Sequence, residues 1–206
     1  YIEIEGGSTL LELAATLESK LGFRPICARV NNKTEALAYE VYTPKLVEFQ
    51  RHTEGSGPRV YTRSLCMLLY RAVTAVLPGA RLTIEHSIAH GYYCRLHGTD
   101  EVSETVVSAL KTEMRRLAAL DLPFERFESL TADAVGIFER EGLDSTALLL
   151  RTARPLYTTY YTLDGISDSY YGVLAPSTGY VPVFDLHRYK QGFLLMPFDP
   201  ANPAKA

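Results

Sequence analysis

The residues of this chain that are best suited to chemistry lie in one short stretch. His86, His90, Cys94 and His97 follow one another at i, i+4, i+8 and i+11. Because an α-helix turns about 100° per residue, this spacing predicts that the four side chains share one face of a helix running through Gly91. Two imidazoles and a thiol can bind a zinc ion, position a water molecule or supply a nucleophile. Buried, hydrogen-bonded histidines on a core-facing stripe are the competing interpretation.

The composition is that of a globular protein able to bury a core. The 206 residues are 47% hydrophobic and 22% charged, which suits one large or two small domains. Lys and Arg number 21 against 24 for Asp and Glu, so the net charge is −3. Such a chain has no general positive field for bulk DNA or RNA, and any RNA contact must be local.

Cysteine use and hydropathy indicate the compartment. The three cysteines are an odd number at wide spacings, which argues against a disulfide framework and for a reducing environment. No apolar run approaches the ~18 residues of a membrane span, and no basic segment followed by an apolar one opens the chain. We therefore expect a cytoplasmic protein without a membrane partner.

Residues 1–52 have the pattern of a small β-grasp unit. Alternation over 1–5 predicts a strand, an apolar stripe from Leu10 to Leu17 predicts a helix, and strands are expected at 26–30 and 46–49. The polar, turn-rich segment 53–60 is the predicted linker.

Residues 61–198 alternate helical and strand patterns. Helices are predicted over 61–77, 103–120, 131–140 and 145–150, and strands over 124–128, 156–163, 181–184 and 192–196. This order predicts the α+β class, with an antiparallel sheet packed by helices. Residues 199–206 are expected to begin an interdomain connection.

Two sets of residues resemble known domains. The first comprises Gly7-Ser8-Thr9-Leu10-Leu11-Glu12-Leu13-Ala14, Ala28-Arg29-Val30-Asn31-Asn32-Lys33 and Val47-Glu48-Phe49. It is similar to the TGS domain, a β-grasp module found at the start of threonyl-tRNA synthetases, in some GTPases and in some nucleoside kinases. The resemblance implies that the first strand of the module is missing here.

The second set resembles the editing domain that follows TGS in threonyl-tRNA synthetases and hydrolyses serine from mischarged tRNA. His86-Ser87-Ile88-Ala89-His90 is similar to its H-S-x-x-H motif. The 168–179 segment, Asp168-Ser169-Tyr170-Tyr171-Gly172-Val173-Leu174-Ala175-Pro176-Ser177-Thr178-Gly179, resembles its D-x-C-x-G-P-H-x-P-x-T-G motif. The resemblance implies a TGS-like domain followed by an editing-like domain.

The departures from this family favour binding over hydrolysis. Tyr170 stands at the cysteine position and Leu174 at the histidine position. Leucine has neither a lone pair nor a proton to offer, so it cannot act as an acid or a base. The resemblance implies a ligand pocket whose residues are His86, His90, Tyr170, Tyr171 and Thr178. Among the arginines, Arg63, Arg71 and Arg81 fit no single helix face and are interpreted as solvated surface.

The altered pattern resembles the amino-terminal half of bacterial uridine-kinase-like nucleoside kinases, in which a P-loop kinase domain follows. This implies a non-catalytic, ligand-sensing region whose ligand is a nucleoside or a tRNA 3′ end and whose partner is its own C-terminal kinase domain. ATP and magnesium are then expected for the kinase domain, and no cofactor for this region. No G-x-x-x-x-G-K-[ST] spacing occurs in the chain, so kinase chemistry cannot reside here.

Two other functions stay open from the residues. One is an aminoacyl-tRNA deacylase, or the amino-terminal editing region of a threonyl-tRNA synthetase, with His86, His90 and Cys94 as catalytic residues. The other is a zinc-binding interaction domain that uses the same three side chains.

Overall fold

The fold is a mixture of helices and small antiparallel sheets, seen in a computed structural model that describes residues 1–99 and 101–206. The helices are α1 (Leu10–Thr16), α2 (Glu18–Leu21), α3 (Gly57–Val76), α4 (Glu104–Ala119), α5 (Thr131–Arg140) and α6 (Asp144–Ala153). The strands are β1 (Ser8–Thr9), β2 (Cys27–Val30), β3 (Lys33–Glu35), β4 (Glu40–Val41), β5 (Val47–Gln50), β6 (Arg81–Ile88), β7 (Gly91–His97), β8 (Glu125–Leu130), β9 (Tyr157–Leu163), β10 (Ile166–Asp168), β11 (Phe184–Tyr189) and β12 (Gly192–Pro197).

The strands of the described residues form four sheets. Near the start of the chain, β1 pairs with β4, and β2 lies between β3 and β5. Farther along, the order is β11-β12-β7-β6 in one sheet and β10-β9-β8 in another. Every strand pair is antiparallel, and the predicted α+β class is confirmed.

Helix α3 runs through the main core. One face is buried along its length, including Leu65, Leu68 and Leu69, and it contacts α4, β6, β9 and β12. The helix begins at Gly57, inside the segment predicted to be a linker. A Cβ atom at Gly57 would lie 1.7 Å from the carbonyl oxygen of Arg51, so only glycine fits where the chain turns into α3.

The stretch from His86 to His97 is a β-hairpin, and the helix predicted there is wrong. Strand β6 pairs with β7, with His86 opposite Tyr93, and Ala89 makes the turn at φ 51°. Residues four apart lie on one side of a helix and also on one side of a strand, so the spacing alone could not decide. The β-branched and aromatic residues Ile84, Ile88 and Tyr92 favour the strand.

Other predictions have mixed outcomes. Helix α5 has the predicted bounds, and α4 has its predicted cap, because the Ser103 hydroxyl accepts the Val106 N–H. Residues 1–5 form no strand, and the strand expected at 181–184 begins only at Phe184. No helix in the described part of the chain is long and apolar enough to cross a membrane.

Candidate ligand-binding site

The predicted histidine and cysteine group does not come together. His86 and His90 are exposed on β6 and at the hairpin turn, whereas Cys94 is buried on β7. Burial raises the pKa of the Cys94 thiol to about 12, which keeps it protonated and unreactive near neutral pH. Across residues 1–99 and 101–206, no three His, Cys, Asp or Glu side chains are grouped to hold a metal ion.

The 168–179 segment is held to α3 by side-chain hydrogen bonds. The Arg63 side chain on α3 donates from Nη1 to the Tyr171 carbonyl at 2.9 Å and from Nε to the Val173 carbonyl at 3.3 Å. In the described part of the chain, no hydrogen bond or ion pair joins the segment to residues 86–97. The wall that faces this segment is therefore α3.

Two buried hydroxyl groups fix the middle of the segment. The Ser64 Oγ on α3 accepts the Ala175 N–H at 2.8 Å. The phenol oxygen of Tyr161 on β9 accepts the neighbouring Leu174 N–H at 3.4 Å. Since backbone amides cannot be left unpaired in the interior, these hydroxyls hold the segment at one distance from α3.

The contact with α3 suggests a second position for the H-S-x-x-H pattern, which the sequence analysis placed at residues 86–90. When the H-S-x-x-H pattern is placed on α3 with its serine at Ser64, Arg63 and Met67 occupy the two histidine positions. In the facing segment, Tyr170 and Leu174 stand at the positions where the resembled motif has its cysteine and its histidine. All five histidines of the chain lie elsewhere, so imidazole is missing from both walls of this site.

The start of the 168–179 segment holds a buried carboxyl group. Burial raises the pKa of Asp168 to about 6, against the opposing effect of hydrogen bonds from the Ser169 N–H and the Tyr170 phenol. Burial and the Asp168 charge raise the pKa of Tyr170 well above its usual range. The thiol of Cys66 lies close by, and burial raises its pKa to about 12. Near neutral pH the Tyr170 phenol and the Cys66 thiol therefore stay protonated, and Asp168 is the group of the three that titrates near this range.

The remaining predicted ligand residues have different environments. Thr178 is fully buried, and its hydroxyl donates to the Leu117 carbonyl and accepts the Leu122 N–H. Its bonding capacity is used in holding the fold. Tyr171, in contrast, is 103% exposed; its backbone carbonyl accepts from Arg63, and its side chain is free to contact a ligand.

The part that α3 plays is not predicted by the sequence patterns. Arg63 was interpreted as solvated surface, and Ser64 and Asp168 were given no role. Arg71 does differ from Arg63, since it pairs with Asp164 at 2.7 Å. The sequence does contain a clue to this site, because Arg63-Ser64-Leu65-Cys66-Met67 shares the serine of the H-S-x-x-H pattern. This clue can be interpreted only once α3 is known to contact the 168–179 segment.

Comparison with known proteins gives a set of similar relatives. No protein-family model matches the chain. It is 28% identical over 181 residues to a threonine–tRNA ligase of Carboxydothermus hydrogenoformans, covering 86% of this chain and 28% of that protein. It is 25% identical over 183 residues to the threonine–tRNA ligase of Geobacter sp. (strain M21), covering 89% and 29%. The chain thus spans under a third of the length of these relatives.

Proposed function

Because the chain is related to the amino-terminal region of threonyl-tRNA synthetase, we propose that it binds the 3′ end of tRNA and leaves the aminoacyl ester intact. The observation that carries this proposal is the replacement of both walls of the editing-like site. Arg63 and Met67 on α3 face a segment that presents Tyr170 and Leu174. None of these four side chains is a carboxylate, an imidazole or a thiol, and Met67 and Leu174 are buried in the core.

Ester hydrolysis needs a group that takes a proton from the attacking water. Arginine is always protonated near neutral pH, and methionine and leucine cannot take up a proton. We therefore expect no general base for hydrolysis at these positions. Asp168 is the carboxylate of this segment, and hydrogen bonds from the Ser169 N–H and the Tyr170 phenol occupy part of its lone pairs, so the variant Asp168→Asn tests whether it takes part.

Binding needs other groups, and these are present at the surface of the site. The relatives are named threonine–tRNA ligases, so tRNA is their substrate. The terminal nucleotides of tRNA are single-stranded. The exposed Tyr171 ring offers a face on which a base can stack, which contributes about 1–3 kcal/mol per base in proteins that bind single strands.

The test combines a binding and a hydrolysis measurement. Fluorescence anisotropy with labelled tRNA(Thr) is expected to show binding that is lost when the terminal CCA is removed. Seryl-tRNA(Thr) incubated with the protein is expected to decay at the rate seen in buffer alone. An editing domain with intact histidine motifs serves as the positive control. Hydrolysis above the buffer rate, or binding independent of the CCA end, would contradict the proposal.

An aminoacyl-tRNA deacylase is the competing function. It was predicted with His86, His90 and Cys94 as the catalytic residues, but the first two are exposed on the hairpin and the third is buried. If hydrolysis were found and survived in His86→Ala and His90→Ala, the deacylase would have to use Asp168, and Asp168→Asn should then abolish it.

The enzyme to which this region belongs is a separate question. The nucleoside kinase context rests on the resemblance alone, since the relatives reported above are threonine–tRNA ligases. Reading the gene beyond Ala206 distinguishes the two. A P-loop domain would support the kinase, and a synthetase catalytic core would support the synthetase.

A further inference from the structure

Two arginines on α3 lack the partner that such side chains usually have. Arg59 and Arg63 lie one turn apart near the start of the helix. Among the described residues, no carboxylate oxygen lies within 4.0 Å of either guanidinium group, although nine other arginine–carboxylate pairs are formed. The first turn of α3 contains no acidic residue.

Their position is electrostatically unfavourable. The amino-terminal end of a helix carries a partial positive charge of about half an elementary unit, which repels cations and attracts anions. Arg63 is also half-buried, and burial together with the nearby Arg59 charge lowers its pKa. Arg59 lies in the first turn of α3 and Arg63 in the second, and two like charges one turn apart form an arrangement that an anion would stabilise.

Neutral acceptors hold the two side chains in place. Arg63 donates to the carbonyls of Tyr171 and Val173, and a Cβ atom at Gly172 would lie 2.8 Å from its Nη1. Arg59 donates from Nη2 to the Ser56 Oγ at 3.4 Å. Carbonyl and hydroxyl oxygens orient a guanidinium group without neutralising it, and other N–H donors of both side chains have no partner among the described residues.

Two further cations lie near this point, and each is paired with a carboxylate, Lys33 with Glu35 at 2.7 Å and Arg126 with Glu128 at 3.8 Å. The charges of Arg63 and Arg126 both act on the phenol of Tyr161. Lys33 on β3 lies near Arg126 on β8. Strand β3 is joined to the start of α3 by a 2.7 Å hydrogen bond between the hydroxyls of Thr34 and Ser56. The arginine pair therefore lies where the first unit, α3 and β8 meet.

We propose that the guanidinium groups of Arg59 and Arg63 bind the phosphate group of a nucleotide, and that the exposed ring of Tyr171, the residue whose carbonyl Arg63 binds, stacks on its base. Guanidinium groups match phosphate geometry with two parallel N–H donors, which makes arginine the preferred residue for such contacts. The phosphate can belong to a free nucleotide or to the phosphodiester of an RNA 3′ end. The site does not depend on the proposed tRNA function, because a free nucleotide satisfies the same chemistry.

The experiment compares three probes by isothermal titration calorimetry. Adenosine 5′-monophosphate is expected to bind at least about tenfold more tightly than adenosine, since only the phosphate engages the arginine pair. The CCA trinucleotide tests the RNA source. Binding of CCA but not of the monophosphate assigns the site to an RNA end, and binding of both shows that a free nucleotide suffices. Failure of both, or equal affinity for adenosine and its monophosphate, overturns the proposal.

Variants locate the contact. Arg63→Gln and Arg59→Gln are each expected to weaken binding of the probe about tenfold or more, whereas Arg81→Gln, at an exposed arginine on β6, is expected to leave it unchanged. Arg59 is exposed, so its variant retains the fold even if loss of the Arg63 contacts loosens the 168–179 segment. Unchanged affinity in Arg59→Gln and Arg63→Gln would overturn the proposal. Arg63-dependent nucleotide binding without tRNA binding would remove the tRNA function and leave this site standing.

Discussion

Ser64 joins α3 to the 168–179 segment through one buried hydroxyl group. Its Oγ donates to the Val60 carbonyl and accepts the Ala175 N–H, both at 2.8 Å. Ser64→Ala leaves the Ala175 N–H unpaired in the interior, so we expect a loss of about 1–3 kcal/mol in the free energy of unfolding. Urea denaturation measures this loss. Ser108→Ala, on the exposed side of α4, should stay within about 0.5 kcal/mol of the wild type, and an equal effect of the two variants would contradict the assigned role.

Asp168 makes the stability of the protein depend on pH in a defined window. Its pKa is about 6 in the folded protein, against about 3.9 in an unfolded chain. Between these values the folded state binds the extra proton. The contribution of Asp168 is therefore full below about pH 4 and decreases, by up to about 3 kcal/mol, as the pH rises to about 6.

Asp168→Asn isolates this contribution from the other carboxylates. The asparagine oxygen can still accept the Ser169 N–H but does not titrate, so the stability of the variant relative to the wild type should rise between pH 4 and pH 7. The groups around it are Tyr170, Cys66, Tyr70 and Glu141, of which Glu141 is the only other carboxylate. Asp144→Asn, at an exposed site on α6, should parallel the wild type, and parallel curves for Asp168→Asn would refute the prediction.

For individual residues, the sequence showed which motif positions are changed, but it did not show which residues contact one another in the fold. The tyrosine and leucine at positions 170 and 174 could be recognised from the motif alone. The environment of Asp168 and the contact of Arg63 with the 168–179 segment could not, because these depend on which element packs against the segment. Sequence spacing reports neighbours within one element, and this site is made between elements.

Among the elements, the helices with strong amphipathic patterns were predictable. Helix α4 combines an apolar stripe with a serine cap, and these two signals agree. In the His86 hairpin, the four-residue spacing of His86, His90 and Cys94 fits both a helix and a strand. The helix predicted there runs through Gly91. In the structure Gly91 is buried against β12, where a Cβ atom would lie 2.9 Å from the Leu195 carbonyl oxygen. Glycine is needed at position 91 because β12 lies so close, and the sequence of the hairpin alone does not show which strand packs against it.

Gly192 sets the pairing of β12 with β7. A Cβ atom there would lie 2.1 Å from the Cys94 carbonyl oxygen, so a side chain forces the two backbones apart. We expect Gly192→Ala to lower the free energy of unfolding by about 1–3 kcal/mol or more, measured by urea denaturation. Gly6→Ala provides the control, since nothing lies within 4 Å of its Cβ position. Equal stability of the two variants would show that β12 can shift without cost.

Across the whole molecule, the units predicted from sequence are joined more closely than a linker implies. The Gln50 side chain at the end of β5 accepts the Ser56 N–H at 2.9 Å, and Ser56 also contacts Thr34. Ile26 and Cys27 pack into the main core with α3 rather than into the small core around Leu10. A polar, turn-rich composition reports local conformation and does not show that α3 begins within it.

The net charge of −3 determines how RNA binding by this chain should depend on salt. A chain without a general positive field gains RNA affinity only from local contacts, so the salt dependence counts those contacts. With two phosphate contacts, at Arg59 and Arg63, log Kd for a CCA-ended single strand should rise with log salt at a slope of about 1.4. Arg63→Gln should reduce this slope by about 0.7, and Arg81→Gln should leave it unchanged. A slope above about 4 that Arg63→Gln does not alter would mean that RNA lies along a different surface, because two arginines cannot release so many counterions.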